Sequence, residues 1–313
     1  MRALVTGAGG FVGSYLVRSL VADGVEVFAG SLEGTPPSGD PAGARWLALD
    51  VTDPASIAAA VAEARPEAVF HLAGQASVAN SFGDPVGTWD ANATGTLRLV
   101  EALAEGTRMV LAGSAEVYGA VPEAEQPISE ERPLCPANPY AASKAAAEMA
   151  CVGVAAVRGV EAVVARSFNH TGPGHDPRFA LPSWARQIAA IRAGNAEPVL
   201  RVGNLEARRD LLDVRDVVRA YRRLAEAGVP ATAYNVCSGA ASSMREVLDA
   251  LVEISGVEVR VEQDPGLVRP VDVPLLLGDG SRLRGLGWTP EIPLRRTLAD
   301  LLAAEDERAG TAR

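Results

Sequence analysis

The chain is poor in the residues that mark secreted, metal-binding and membrane proteins. Its 313 residues include three cysteines, Cys135, Cys151 and Cys237. Their number is odd and their spacing wide, which fits neither a disulfide framework nor a zinc site. The three histidines, His71, His170 and His175, lack metal-ligand spacing as well. No apolar run approaches the ~20 residues needed to span a bilayer. Met1 to Thr6 carries one charge and gives way to Gly7, too short an apolar stretch for a signal peptide. Basic residues are outnumbered, 29 Lys and Arg against 39 Asp and Glu, leaving a formal net charge of −10. That sign argues against nucleic acid as a partner, although a local Arg cluster can still bind a small anion. The expectation is a cytosolic protein with no metal, membrane or nucleic-acid partner.

What is present is ordinary globular material, about half of it apolar, arranged in a regular alternation. Short apolar runs at 2–6, 25–29, 46–49, 68–73, 108–112 and 161–165 predict buried strands. Amphipathic stretches at 11–22, 53–65, 84–105 and 140–158 predict helices between them. Asp53-Pro54 and Asp84-Pro85 each supply a cap followed by a proline in the first turn. Strands that are continuously apolar and alternate with helices imply a parallel sheet covered on both faces. Past Arg166 the pattern changes. A helix is expected near 183–192 and a strand at 234–237, and the last third is broken by Pro265, Pro270, Pro274, Pro290 and Pro293. The expected division is a dinucleotide-binding unit over 1–165, with a returning segment near 211–238, and a smaller substrate-binding lobe over most of 166–313. Short elements are expected in that lobe, and a frayed tail after Glu305.

The first strand runs into Gly7-Ala8-Gly9-Gly10-Phe11-Val12-Gly13 and then into a helix. Gly7 permits a tight turn, Gly10 lets the backbone approach a pyrophosphate, and Gly13 lets the helix close on the sheet. The phosphates would sit at the helix N-terminus. This is the pattern of an α/β, doubly wound sheet of Rossmann type. Asp50-Val51 and Leu72-Ala73-Gly74 follow the third and fourth strands, where the adenine, ribose and pyrophosphate would pass. The second strand ends Phe28-Ala29-Gly30-Ser31, with no acid before Glu33. That leaves room for a 2′-phosphate at Ser31 and favours NADP(H), with NAD(H) still open.

Tyr140 and Lys144 stand four apart on one helix face. A tyrosine used near neutral pH needs its phenolate stabilised by roughly three pKa units, and a lysine ammonium beside it is one source. Ser114, just beyond the fifth strand, would face the same cleft, because ligands of open parallel sheets lie at the carboxyl ends of the strands.

These stretches, with Asn92-Ala93-Thr94-Gly95-Thr96, resemble an extended short-chain dehydrogenase/reductase over nearly the whole chain. The resemblance implies nucleotide-sugar chemistry, with Ser114, Tyr140 and Lys144 catalytic. It also implies a homodimer built on the helices near 92–105 and 140–157. The segments 166–174, 202–210, 269–273, 277–279 and 286–288 are similar to the GDP-mannose branch. On that likeness His170 would touch the cofactor, while Asn169, Arg209, Arg269 and Asp272 would hold a GDP-sugar. Two activities of that branch compete. A 4,6-dehydratase needs a base for the C5 proton, and Glu116 stands where dehydratases carry it. A 4-keto-6-deoxymannose reductase needs only a proton donor to the C4 oxygen. Thr171-Gly172-Pro173-Gly174-His175 and the short chain favour the reductase.

Overall fold

The computed structural model describes residues 1–37, 43–267 and 273–311. In chain order the first half runs β1 (Arg2–Thr6), α1 (Phe11–Ala22), β2 (Glu26–Ser31), β3 (Arg45–Ala48), α2 (Pro54–Ala64) and β4 (Ala68–His71). It continues with α3 (Val78–Gly83), α4 (Pro85–Trp89), a π-helical turn over Asp90–Thr94, α5 (Gly95–Ala102), β5 (Arg108–Ala112), α6 (Pro139–Arg158) and β6 (Glu161–Ser167). The second half contains β7 (Asn169–Thr171), α7 (Ala180–Arg192), β8 (Val199–Val202), β9 (Arg208–Asp213), α8 (Val214–Ala227) and β10 (Ala233–Val236). It ends with β11 (Ala241–Ser243), α9 (Met244–Ser255), β12 (Arg260–Gln263), β13 (Leu275–Leu276), α10 (Ser281–Arg284) and α11 (Leu294–Thr311).

Seven strands form one sheet in the order β10-β6-β5-β4-β1-β2-β3. Every pairing in it is parallel, as the continuously apolar strands require. The order reverses between β1 and β4, which opens a crevice at their carboxyl ends. Two apolar layers sandwich the sheet. Leu16, Val17 and Leu20 of α1 share one with Val217, Tyr221 and Leu224 of α8. Ile57, Leu99, Val100, Ala147 and Cys151 line the other, from α2, α5 and α6. A third core, with Trp184, Ile188, Leu248, Leu251, Leu298 and Leu301, joins α7, α9 and α11 beside the paired strands β8 and β12.

One expectation is refined and two need correction. The helical region expected over 84–105 runs from Pro85 to Ala102 and carries a π turn at Asp90–Thr94, where the backbone stays helical. The last third is not made only of short elements. Its α9 carries a capping box, Ser243 with Glu246, and α11 runs for 18 residues. Nor does the tail fray after Glu305: α11 continues to Thr311, with Glu305 buried against Arg308. Among the described residues no helix is long and apolar enough to cross a membrane.

Candidate active site

The carboxyl ends of the sheet strands carry most of the residues singled out from sequence. The glycine loop follows β1, Ser31 ends β2, Asp50 and Val51 follow β3, Leu72 to Gly74 follow β4, and Ser114 follows β5. The loop is shaped by close contact. A Cβ on Gly13 would lie 2.2 Å from the Gly7 carbonyl oxygen, so α1 reaches the loop only because that residue is glycine. Helix α1 starts at Gly10 with no side-chain cap, leaving the N–H groups of its first turn for an anion. Phe11 stacks on His175 at 4.4 Å and lies parallel to His170 at 6.2 Å. The segment after β7 is thereby laid against the glycine loop, and the Tyr15 hydroxyl donates to the Pro173 carbonyl at 2.8 Å. Asp50 is turned inward on its own loop, accepting from the Thr52 N–H and hydroxyl at 2.8 Å each, which holds its carboxyl below the usual range. Ser31 likewise accepts from the Gly34 N–H at 3.1 Å.

Tyr140 and Lys144 occupy the first turns of α6, which Asn138 caps through a 2.8 Å bond from the Ala141 N–H. The Tyr140 backbone N–H, left over at the helix start, donates to the Ser81 hydroxyl at 3.2 Å. Burial pushes the Tyr140 phenol up to about 12; the Ser114 hydroxyl opposes the rise and the Glu116 carboxylate adds to it. The Lys144 ammonium donates to the Ala112 carbonyl oxygen at 3.0 Å, and burial pulls it down to about 8. This corrects the expected acidification of the phenol by the lysine. Burial, the largest influence on the phenol, raises it and so favours its neutral form. Such a hydroxyl is a proton donor rather than a base. Glu116 is half-buried and accepts from the Asn138 amide at 3.4 Å.

Asn92, quoted within a motif but given no role from sequence, completes this corner. The π turn aims its amide between two elements. Its Nδ2 donates to the Ser143 hydroxyl at 2.9 Å and to the Gln75 carbonyl at 3.0 Å, and its Oδ1 accepts the Gln75 N–H at 2.8 Å. Gly74, at φ +153°, is needed for that approach: a Cβ there would lie 2.4 Å from Asn92 Oδ1 and 3.9 Å from Lys144 Nζ. The signal available in the sequence was the pairing of Gly74 with an asparagine inside a helical segment, a residue that disfavours helix interiors.

Two of the remaining sugar-binding candidates, Asn169 and Arg209, lie on the paired strands β7 and β9. Asn169 is exposed on β7, which pairs with β9, where Arg209 donates to the Val273 carbonyl at 2.6 Å. Arg269 and Asp272 lie outside the described residues. A cleft of about 530 Å³ that sequence reading did not anticipate runs along α7 and β8. Arg178, Arg186 and Arg201 line it, with Ser183 and Gln187. Among the described residues no group of three or more His, Cys, Asp or Glu side chains is placed to hold a metal ion.

Comparison with known proteins finds a family model and several similar chains. The family model of GDP-mannose 4,6 dehydratase fits residues 4–301. A GDP-6-deoxy-D-mannose reductase of Pseudomonas aeruginosa is 39% identical, covering 98% of each chain. Among solved structures, RMD from Pseudomonas aeruginosa complexed with NADPH superposes with a TM-score of 0.86 at 37% identity, covering 98% of this chain and 99% of that one. A Thermus thermophilus UDP-glucose 4-epimerase in complex with NAD superposes at 0.87 and 31% identity, covering 97% of this chain and 99% of the other.

Proposed function

The chain belongs to the GDP-mannose 4,6-dehydratase family, and from that premise we propose that it reduces the C4 ketone of a GDP-4-keto-6-deoxyhexose to give GDP-6-deoxymannose (GDP-rhamnose). The observation that carries this reading is the buried Tyr140 beside Ser114 at the carboxyl ends of the strands, its phenol pushed up by burial. Reduced nicotinamide supplies the hydride to C4 when bound. Tyr140 delivers the proton to the oxygen of that carbon, which balances a two-electron reduction of ketone to alcohol. Ser114 hydrogen-bonds the same oxygen as it gains charge. Lys144 and Asn92 hold the ribose side of the cleft, and Lys144 is available as a donor there when it leaves the Ala112 carbonyl.

A bound dinucleotide would be held by Gly7, Gly10, Phe11, Val12 and Gly13, with Asp50, Val51, Leu72, Ala73, Gly74 and His170 as its further contacts. NADP(H) is favoured over NAD(H): Ser31 ends β2 without an acid, and the similar Pseudomonas aeruginosa structure is complexed with NADPH. The GDP-sugar would span the second lobe, with Arg209 and Asn169 among its contacts and with Arg269 and Asp272, outside the described residues, as the further contacts that the family resemblance implies. The unit over 1–165 with 211–238 then holds the cofactor, and the remainder holds the sugar nucleotide. Phe82, Val86, Trp89, Met149 and Val157 are exposed on α3, α4 and α6. They suit burial in a homodimer, which sedimentation at micromolar concentration reads directly. The setting is the cytosol, in keeping with three unpaired cysteines.

Glu116 favours a second reading. Its carboxylate stands beside Tyr140, where a dehydratase keeps the base that takes the C5 proton. Incubation with GDP-mannose and with GDP-4-keto-6-deoxymannose, each with NADPH, separates the two. NADPH consumption with the keto sugar alone supports the reductase. Loss of water from GDP-mannose, seen by mass spectrometry, replaces it with the dehydratase.

A further inference from the structure

His71 has no part in the chemistry above, yet it sits in the middle of a buried line of hydrogen bonds. Its ring is 1% exposed at the end of β4. Nδ1 lies 2.7 Å from the Thr6 hydroxyl, and Nε2 lies 3.0 Å from the Thr96 hydroxyl. Thr96 donates its only hydroxyl hydrogen to the Asn92 carbonyl at 2.6 Å. Toward His71 it is therefore an acceptor, so Nε2 carries the ring's hydrogen. Nδ1 is then bare and accepts from Thr6, whose oxygen in turn takes the Ala73 N–H at 3.1 Å. Each of these buried groups is satisfied without a charge, in keeping with an imidazole whose pKa burial pulls down to about 3.

The line joins parts that the proposed cofactor site needs in register. Thr6 immediately precedes the glycine loop, Ala73 belongs to the loop after β4, and the Asn92 carbonyl lies in the π turn that aims the Asn92 side chain at Gly74, Gln75 and Ser143. We propose that His71, as its Nε2–H tautomer, is a positioning residue. It ties the two loops that cradle the dinucleotide to the π turn that presents Asn92 beside Lys144. This rests on the nicotinamide-binding reading but not on the identity of the sugar.

Two measurements test it. In protein labelled with 15N-histidine, long-range 15N–1H correlations report the tautomer of a buried imidazole. An Nε2–H pattern for His71 is expected, and an Nδ1–H pattern overturns the proposal. The second is the dissociation constant for NADPH, read from nicotinamide fluorescence with no sugar present. Thr96→Val keeps the volume but removes both the acceptor toward His71 and the donor to the Asn92 carbonyl, and His71→Asn keeps only an acceptor toward Thr6. Each should weaken NADPH about tenfold, the scale of one buried hydrogen bond lost. His71→Gln, which restores a donor toward Thr96, should stay within about threefold of the parent. A ring that merely fills space predicts parental binding in Thr96→Val, and that result sinks the idea even if His71→Asn does not fold. A protein that meets these expectations and leaves the keto sugar unreduced refutes the proposed activity alone.

Discussion

Two tyrosines, Tyr118 and Tyr140, are both buried, and burial drives both hydroxyls up to about 12. Their surroundings differ in how far hydrogen-bonding capacity is used. The Tyr118 hydroxyl accepts from Arg166 at 2.8 Å and donates to Asn235 at 2.7 Å. Arg166 also grips Glu148, its Nε reaching the two carboxylate oxygens at 3.2 and 3.0 Å. Asn235 continues the web to the carbonyls of Ile128 and Asp279. That cluster fastens the segment after β5 to α6, β6 and β10, and it leaves nothing for a ligand. Around Tyr140, by contrast, Ser114 and Glu116 come from the segment after β5 and Lys144 from α6, at the carboxyl end of the sheet. Their capacity is spent on a few local contacts: the Ser114 oxygen on the Glu116 N–H at 3.2 Å, and Lys144 on one carbonyl. A displaced pKa therefore does not mark a reactive site by itself. The mark is a displaced pKa on a group that still has a hydrogen bond to give, at the place where the topology opens a crevice.

The contrast is broken most sharply at the phenols. Tyr140→Phe should cut turnover of the keto sugar by about 10²–10⁴-fold, the range of a lost general acid, with NADPH binding and melting temperature nearly unchanged. Parental turnover would remove Tyr140 from the chemistry, and absence of turnover in both proteins would point to a non-catalytic binding protein. In the other cluster, Glu148→Gln leaves Arg166 buried without its counter-charge. Stability should fall by roughly 3 kcal/mol in chemical denaturation, while turnover per folded molecule holds. Loss of turnover at full stability would show that this cluster also takes part in the reaction.

The smallest effect concerns Lys144. An unfolded lysine keeps its proton up to its ordinary pKa of 10.5, whereas the folded one loses it near 8. The folded state binds fewer protons in that window, so stability rises with pH through it, and below it the buried charge is a full penalty. Lys144→Met should accordingly raise the denaturation midpoint of the ligand-free protein below pH 8, and the gain should shrink as pH approaches 10.5. A constant difference across the window would mean that Lys144 is not destabilised by burial.

Much of the first half was legible because strands buried on both faces must be apolar throughout. β1, β5 and α1 fall where apolar runs and glycines predict them, and Tyr140, Lys144 and Ser114 come to one corner because chain ends of parallel strands share a side. The second half was less legible. Helices α8, α9 and α11 carry many charges, and although Asp213 caps α8 and its apolar residues repeat at helical spacing, its place beside α1 is set by packing. The π turn at Asp90–Thr94 was hidden for a similar reason, since such a turn has no residue of its own and is selected by what it must touch.

The sequence alone determined the alternation of strand and helix, the anion-ready turn at Gly7 to Gly13 and the spacing of Tyr140 with Lys144, because steric rules and helical period act over a few residues. Only the tertiary structure decided the protonation of that pair, the tautomer of His71 and the aim of Asn92. Those depend on desolvation and on hydrogen-bond partners brought from as far as 65 residues away in the chain, which no local pattern encodes.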